Sequence, residues 1–195
     1  MFKKLISLML ICFVLLSLVG CGNTENDATF STEPVKVQVT MESGDTFIIE
    51  TAPQYAPETC VNFLNLVSDG FYDGLTFHRV IDGFVAQGGD PTGTGTGGSG
   101  KSIKGEFVDN GFDQNTLSHT KGIVSMARRG GDMDSATSQF FICYDTVTSL
   151  DGKYAAFGNV IEGMETVDKF LEISRDGNGK PSTPIVIKEM KIISE

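Results

Sequence analysis

Residues 77–102 read "FHRVIDGFVAQGGDPTGTGTGGSGKS", and two incompatible architectures can be drawn from them. The last eight residues, Gly95 to Ser102, fit G-x-x-x-x-G-K-[ST], the pattern of the loop that cradles nucleotide phosphates. The first half instead offers two short apolar runs around Phe77–Ile81 and Phe84–Gln87, separated by Asp82-Gly83, which is strand patterning with turn punctuation. Phosphate binding needs a buried strand leading into the loop and a helix leading out, so that free N–H groups face the anion. Before Gly95 stands "GGDPTGT", and after Ser102 the glycines at 105 and 111 break any helix. A nucleotide is therefore not expected, Lys101 reads as a surface charge, and the glycines must serve some other loop.

Working outward, the same strand pattern recurs on both sides. Upstream, Val35, Val37, Val39 and Met41 alternate, a Ser-Gly-Asp turn follows, and Phe47 and Ile49 alternate again, which predicts a β-hairpin. Pro57 then opens a segment with Cys60, Phe63, Leu64 and Val67 at helical spacing and Gly70 as a stop, predicting an amphipathic helix of about four turns. Downstream, "GIVSMA", "SQFFICY", "AAFGNVI" and "TPIVIKEMKIIS" read as strands, and "METVDKFLEI" as a second helix. Two helices and about eight strands without a repeating βαβ pattern count against a parallel nucleotide-binding sheet and point to an all-β barrel or sandwich. No internal repeat or second domain is visible in the 195 residues.

The first twenty residues carry Lys3 and Lys4 and then an apolar run from Leu5 to Leu16, interrupted by Ser7, the pattern of an export signal. A transmembrane anchor is the other reading of such a run. Leu18-Val19-Gly20-Cys21 resembles the bacterial lipobox, which implies cleavage before Cys21 and a lipid on its sulfur, with two acyl chains giving stable anchoring. The expected organisation is a signal peptide at 1–20, a lipidated polar tether at 21–34 and one folded domain at 35–195, tethered on the extracytoplasmic side of the cell membrane. Loss of Lys3 and Lys4 takes the formal charge from -10 to -12, against the clustered basic residues that nucleic acid requires. Cys60 and Cys143 lie in apolar contexts without metal-ligand spacing and read as buried free thiols.

Three segments together resemble the cyclophilin family of peptidyl-prolyl cis-trans isomerases: residues 77–100, "GIVSMARRGGDMDSATSQFFI" at 122–142 and "LDGKYAAFGNVIEGMETVD" at 150–168. The resemblance covers essentially Val35 to Ser194. It implies a closed eight-stranded antiparallel β-barrel capped by two α-helices, a groove on the outer wall, isomerisation of X–Pro bonds in exported polypeptides, no cofactor or metal, and a monomer. An X–Pro amide resists rotation by roughly 20 kcal/mol of resonance, so catalysis needs a donor at the prolyl nitrogen and an apolar pocket for the ring. The resemblance makes Arg79 that donor. Phe84, Val85, Phe141 and Leu150 match the proline pocket, although periodicity alone cannot separate them from barrel core. Gln87 and Gln139 match positions that orient the arginine and the peptide backbone. Arg128 matches a position whose main chain pairs with the peptide, and Ala127 lines the adjoining surface.

His78 neighbours Arg79 on a strand, so its side chain should face the other way; His119 reads as a turn residue without a role. Two positions depart from the pattern of the well-known eukaryotic members. Tyr154 stands where they have a pocket histidine and still offers an aromatic wall and a hydroxyl, while Ser149 replaces a tryptophan that contacts cyclosporin. Weak cyclosporin binding is the expectation. Arg128-Arg129 reads as a solvated turn rather than a selector of acidic peptides. The alternative from another class is a peptide-binding or holdase module with incidental turnover.

Overall fold

The computed structural model describes residues 32–194. The leader at 1–20, Cys21 and the tether up to residue 31 lie outside the described residues. The expected hairpin forms from β1 (Lys36–Met41) and β2 (Thr46–Thr51), with Val37, Val39, Phe47 and Ile49 turned inward on alternate positions. The remaining strands are β3 (Thr76–Val80), β4 (Val85–Asp90), β5 (Ile123–Met126), β6 (Phe140–Cys143), β7 (Ala156–Glu162) and β8 (Ile185–Ile193). They close in the order β1-β2-β7-β5-β6-β4-β3-β8, every pairing antiparallel, so the barrel rather than the sandwich is realised. Closure leaves no strand edge to protect.

α1 spans Pro57–Ser68, twelve residues, and buries Cys60, Phe63, Leu64 and Val67. Proline at its first position lacks only an N–H that no intrahelical carbonyl would have received. The next two N–H groups, of Glu58 and Thr59, donate to the carboxylate of Glu106 at 3.0 and 2.8 Å, and the Thr59 hydroxyl adds a bond of 2.7 Å. A distant carboxylate therefore caps a helix that has no side-chain cap of its own. The second predicted helix divides in two: α2 covers Met164–Asp168 and a 3₁₀ turn covers Lys169–Glu172. Arg175 Nη1 donates to the carbonyls of Phe170, Leu171 and Ile173, meeting acceptors that the tightened end leaves free.

The interior is aromatic. Phe140 on β6 meets Phe63 at 5.8 Å, Tyr72 at 5.5 Å and Phe77 at 5.8 Å, all edge-on, the geometry that ring quadrupoles favour. All four residues of β6 are buried, because both faces of this strand are covered. Phe140 and Ile142 belong to the barrel core, whereas Phe141 and Cys143 form a second apolar cluster with Val85, against which Phe84, Ala127, Leu150 and Tyr154 pack. That second cluster lies on the outside of a barrel already filled by its own side chains. Cys60 and Cys143 are both free and buried, and burial pushes each thiol up to about 12.

Candidate active site

The outer cluster opens into a cleft of about 200 Å³ lined by Arg79, Phe84, Val85, Gln87, Ala127, Arg128, Phe141, Leu150 and Tyr154. Nine of the ten side chains singled out in the sequence thus meet at one place. The tenth, Gln139, lines an adjoining cleft of about 410 Å³, which shares Gln87, Ala127 and Arg128 with the first. The floor of the smaller cleft is Phe141, met edge-on by Tyr154 at 5.7 Å.

Arg79 reaches the cleft through a bulge. In the pairing of β3 with β4, Phe77 faces Gly88 and Arg79 faces Gln87, so His78 is the extra residue on its strand. His78 accordingly faces away from the cleft, toward Gly95, and both of its ring nitrogens are buried without a hydrogen-bond partner. Burial holds its pKa below the usual histidine value, against the pull of the nearby Asp90 charge.

The guanidinium is held by a directional relay. Gln139 Nε2 donates to the backbone carbonyl of Gly97 at 2.8 Å, Gln87 Nε2 donates to Gln139 Oε1 at 2.9 Å, and Arg79 Nη1 donates to Gln87 Oε1 at 3.3 Å. A carbonyl can only accept, so the Gly97 oxygen fixes the orientation of one amide, that amide fixes the next, and the second presents its oxygen to the arginine. Only one guanidinium donor is consumed in this way. The Arg79 Cζ sits 5.8 Å from the centre of the Phe84 ring.

The glycine-rich run anchors the far end of the relay, and its amides are already occupied. The carboxylate of Asp90, 1 % exposed, accepts from the N–H groups of Thr92, Thr94, Gly95 and Gly97 at 2.7, 3.1, 2.6 and 3.2 Å, and from the Thr92 hydroxyl at 2.9 Å. Burial opposes its charge, but these donors prevail and pull the carboxyl down to about 2. An internal anion thus occupies two amides of the motif itself, those of Gly95 and Gly97. A side chain at Gly97 would run into this carboxylate and into Thr92, so this close approach requires glycine. Ser102 is followed by an isolated bridge from Ile103 to Ala136 in place of a helix. Lys101 is exposed.

Arg128 is not a free solvated charge. Its Nε donates to the Lys153 carbonyl at 3.0 Å, and its guanidinium carbon lies 4.8 Å from the Tyr154 ring centre and 5.2 Å from that of Phe107. It braces the aromatic wall, while Arg129 is exposed and pairs with Asp132 at 3.0 Å. The flanking N–H groups are used internally, Ala127 to the Gln139 carbonyl and Arg129 to Ser135 Oγ.

The reading of His119 as a turn residue is overturned. It is 0 % exposed, its Nδ1 lies 2.8 Å from Asp151 Oδ1, and its ring stacks on Phe141. Nothing in "TLSHTKG" announces this, since the partner carboxylate is 32 residues away. Among the described residues no group of three His, Cys, Asp or Glu side chains is placed to hold a metal.

A closed eight-stranded antiparallel barrel with two helices defines the cyclophilin class of architecture. The family described as cyclophilin type peptidyl-prolyl cis-trans isomerase matches residues 36–192, and the chain belongs to it. The peptidyl-prolyl cis-trans isomerase ppi1 of Schizosaccharomyces pombe is 45% identical over 141 residues, 72% of this chain and 88% of that one. A crystal structure of a cyclophilin type peptidyl-prolyl cis-trans isomerase from Cryptosporidium parvum superposes with a TM-score of 0.75 at 35% identity, covering 84% of this chain and 99% of that one. A second structure of that protein, in the presence of the dipeptide Ala-Pro, has a TM-score of 0.73 at 35% identity, covering 82% of this chain and 99% of that one. The chain spans 29% of the length of peptidyl-prolyl cis-trans isomerase-like 2 of Gibberella zeae, to which it is 37% identical over 86% of its own length. It spans 24% of the Neurospora crassa counterpart.

Proposed function

We propose that the chain is a peptidyl-prolyl cis-trans isomerase acting on exported polypeptides at the membrane surface. The observation that carries the reading is Arg79, aimed by Gln87 and Gln139 over an apolar cleft sized for a small ring. The proline ring enters against Phe84, Val85, Phe141 and Leu150, with Tyr154 as the side wall. Twisting the amide localises a lone pair on the prolyl nitrogen, and an unused Arg79 N–H donates to it. That bond strengthens as resonance is lost, so it favours the twisted state over either planar isomer. Each tenfold in rate corresponds to about 1.4 kcal/mol of such preference. No bond is made or broken, and no proton changes owner. The substrate's backbone runs on past Ala127 and the main chain of Arg128 into the larger cleft, where glycines at 95, 97 and 98 let it lie close to the loop.

The proposal extends to the chain's start: cleavage before Cys21, lipidation of its sulfur and a tether to residue 34 leave one monomeric domain facing the extracytoplasmic side. Incorporation of labelled fatty acid, abolished by Cys21→Ala, checks this; incorporation without Cys21 refutes it. The isomerase reading is tested with a short X–Pro peptide and the full chain. Acceleration of cis-to-trans exchange is expected, and none would leave the peptide-binding module.

A further inference from the structure

We infer that His119 is a positioning residue for the proline cleft, clamping its floor to its wall. The inference rests on the isomerase reading for its functional meaning, although the clamp itself is a matter of geometry. Floor and wall come from separate segments, Phe141 from β6 and Leu150 from the 3₁₀ turn Thr148–Leu150. His119 holds both ends of that turn: its carbonyl accepts from Val147 N–H at 2.7 Å, and its own N–H donates to Asp151 Oδ1 at 2.8 Å. Ser118 Oγ donates to the other Asp151 oxygen at 2.6 Å. The imidazole adds the link to the floor, its plane 22° from that of Phe141 with centroids 6.0 Å apart.

The proton on the ring is fixed by its neighbours. Asp151 can only accept, so Nδ1 carries the hydrogen, and Nε2, 3.1 Å from Ser125 Oγ on β5, accepts the serine hydroxyl. Ser125 stands directly opposite Phe141 in the β5–β6 register. The order Asp–His–Ser is that of a serine-hydrolase relay, but His119 and Ser125 are both 0 % exposed, so no acyl group reaches the hydroxyl. What the constellation can do is set the distance between β6 and the turn that carries Leu150. The bond from Val147 N–H to the His119 carbonyl is wholly backbone and survives either change, so the turn stays tied to this segment when the clamp is cut, although Asp151→Ala also releases the His119 N–H.

Two substitutions cut the clamp at different points. His119→Asn keeps a donor toward Asp151 and removes the ring face, while Asp151→Ala keeps the ring and removes its anchor at a side chain one-third exposed. In the full chain, both should lower kcat/KM on an X–Pro peptide by about 10–100-fold, the size of effect that a misplaced site produces, with KM raised. Both should also bring millisecond exchange to the Leu150 methyl signals and weaken their cross-peaks to the Phe141 ring. A purely structural histidine would lower the melting temperature alone. Unchanged kcat/KM and unchanged Leu150 signals in the folded variants, or a loss confined to one of them, would overturn the proposal. If the unmodified chain fails to accelerate isomerisation, the isomerase reading falls, and the Leu150 signals still decide the clamp.

Discussion

Replacing Asp90 with Asn separates the charge at the centre of the glycine-rich loop from its shape. The native carboxylate holds four backbone N–H groups and one hydroxyl at 2.6–3.2 Å; an amide offers one oxygen in place of two and no charge. Its pKa falls from 3.8 to about 2 on folding, and at about 1.4 kcal/mol per unit this is worth roughly 2 kcal/mol. The native pKa is the lower one, so the stabilisation is fully present above the unfolded value and is lost as pH falls from near 4 through the folded value. Urea unfolding of both proteins between pH 2 and pH 6 reads this directly. The asparagine variant should be about 2 kcal/mol less stable at pH 6, and the gap should close as the pH approaches 2. Asp45, Asp134, Asp151 and Asp176, whose pKa values are also lowered, titrate in both proteins and cancel in the difference. A gap that stays constant with pH, or one below about 0.5 kcal/mol, the scatter expected of a surface substitution, would refute the account of the loop.

Three further outcomes follow from the same geometry. Gln139→Leu removes the link between the Gly97 carbonyl and Gln87 while Arg79 stays in place, so kcat should fall by about tenfold, the equivalent of one hydrogen bond of about 1.4 kcal/mol, in a steady-state peptide assay. Cys60 and Cys143, both pushed up to about 12 by burial, should resist a thiolate-selective reagent at pH 8 in the native protein and react once it is unfolded. Ser149 is exposed beside Leu150 and offers no large apolar surface or indole N–H, so cyclosporin should inhibit weakly; inhibition at nanomolar concentration would contradict this.

The barrel strands were legible because their inward faces alternate, as in Val37, Val39, Phe47 and Ile49, and α1 because its apolar residues recur at helical spacing. The cleft residues Phe84, Val85, Phe141 and Leu150 were legible only through resemblance to a family, since an outer apolar cluster and an inner core look alike along a strand. What stayed hidden has a common physical cause: a local segment whose role is set by a distant polar partner. Asp90-Pro91 looks like any turn until the loop folds back over the carboxylate. Glu106 caps a helix that begins 49 residues earlier in the chain. His119 looks like a loop polar residue until Asp151 meets it, and the second helix looks continuous until Arg175 draws its last carbonyls together. Periodicity records which face is buried, and it carries no information about which distant donor a given acceptor will find.

The central claim is that Arg79 stabilises the twisted amide rather than merely holding the peptide. The decisive measurement compares Arg79→Ala with the intact full chain in two ways: kcat for an X–Pro peptide by exchange spectroscopy, and peptide affinity by calorimetry. Loss of one charge-assisted bond made in the twisted state, worth about 1.5–3 kcal/mol, should lower kcat by about 10–100-fold while the dissociation constant changes only a few-fold. Equal losses in both, or full turnover without the guanidinium, would contradict it.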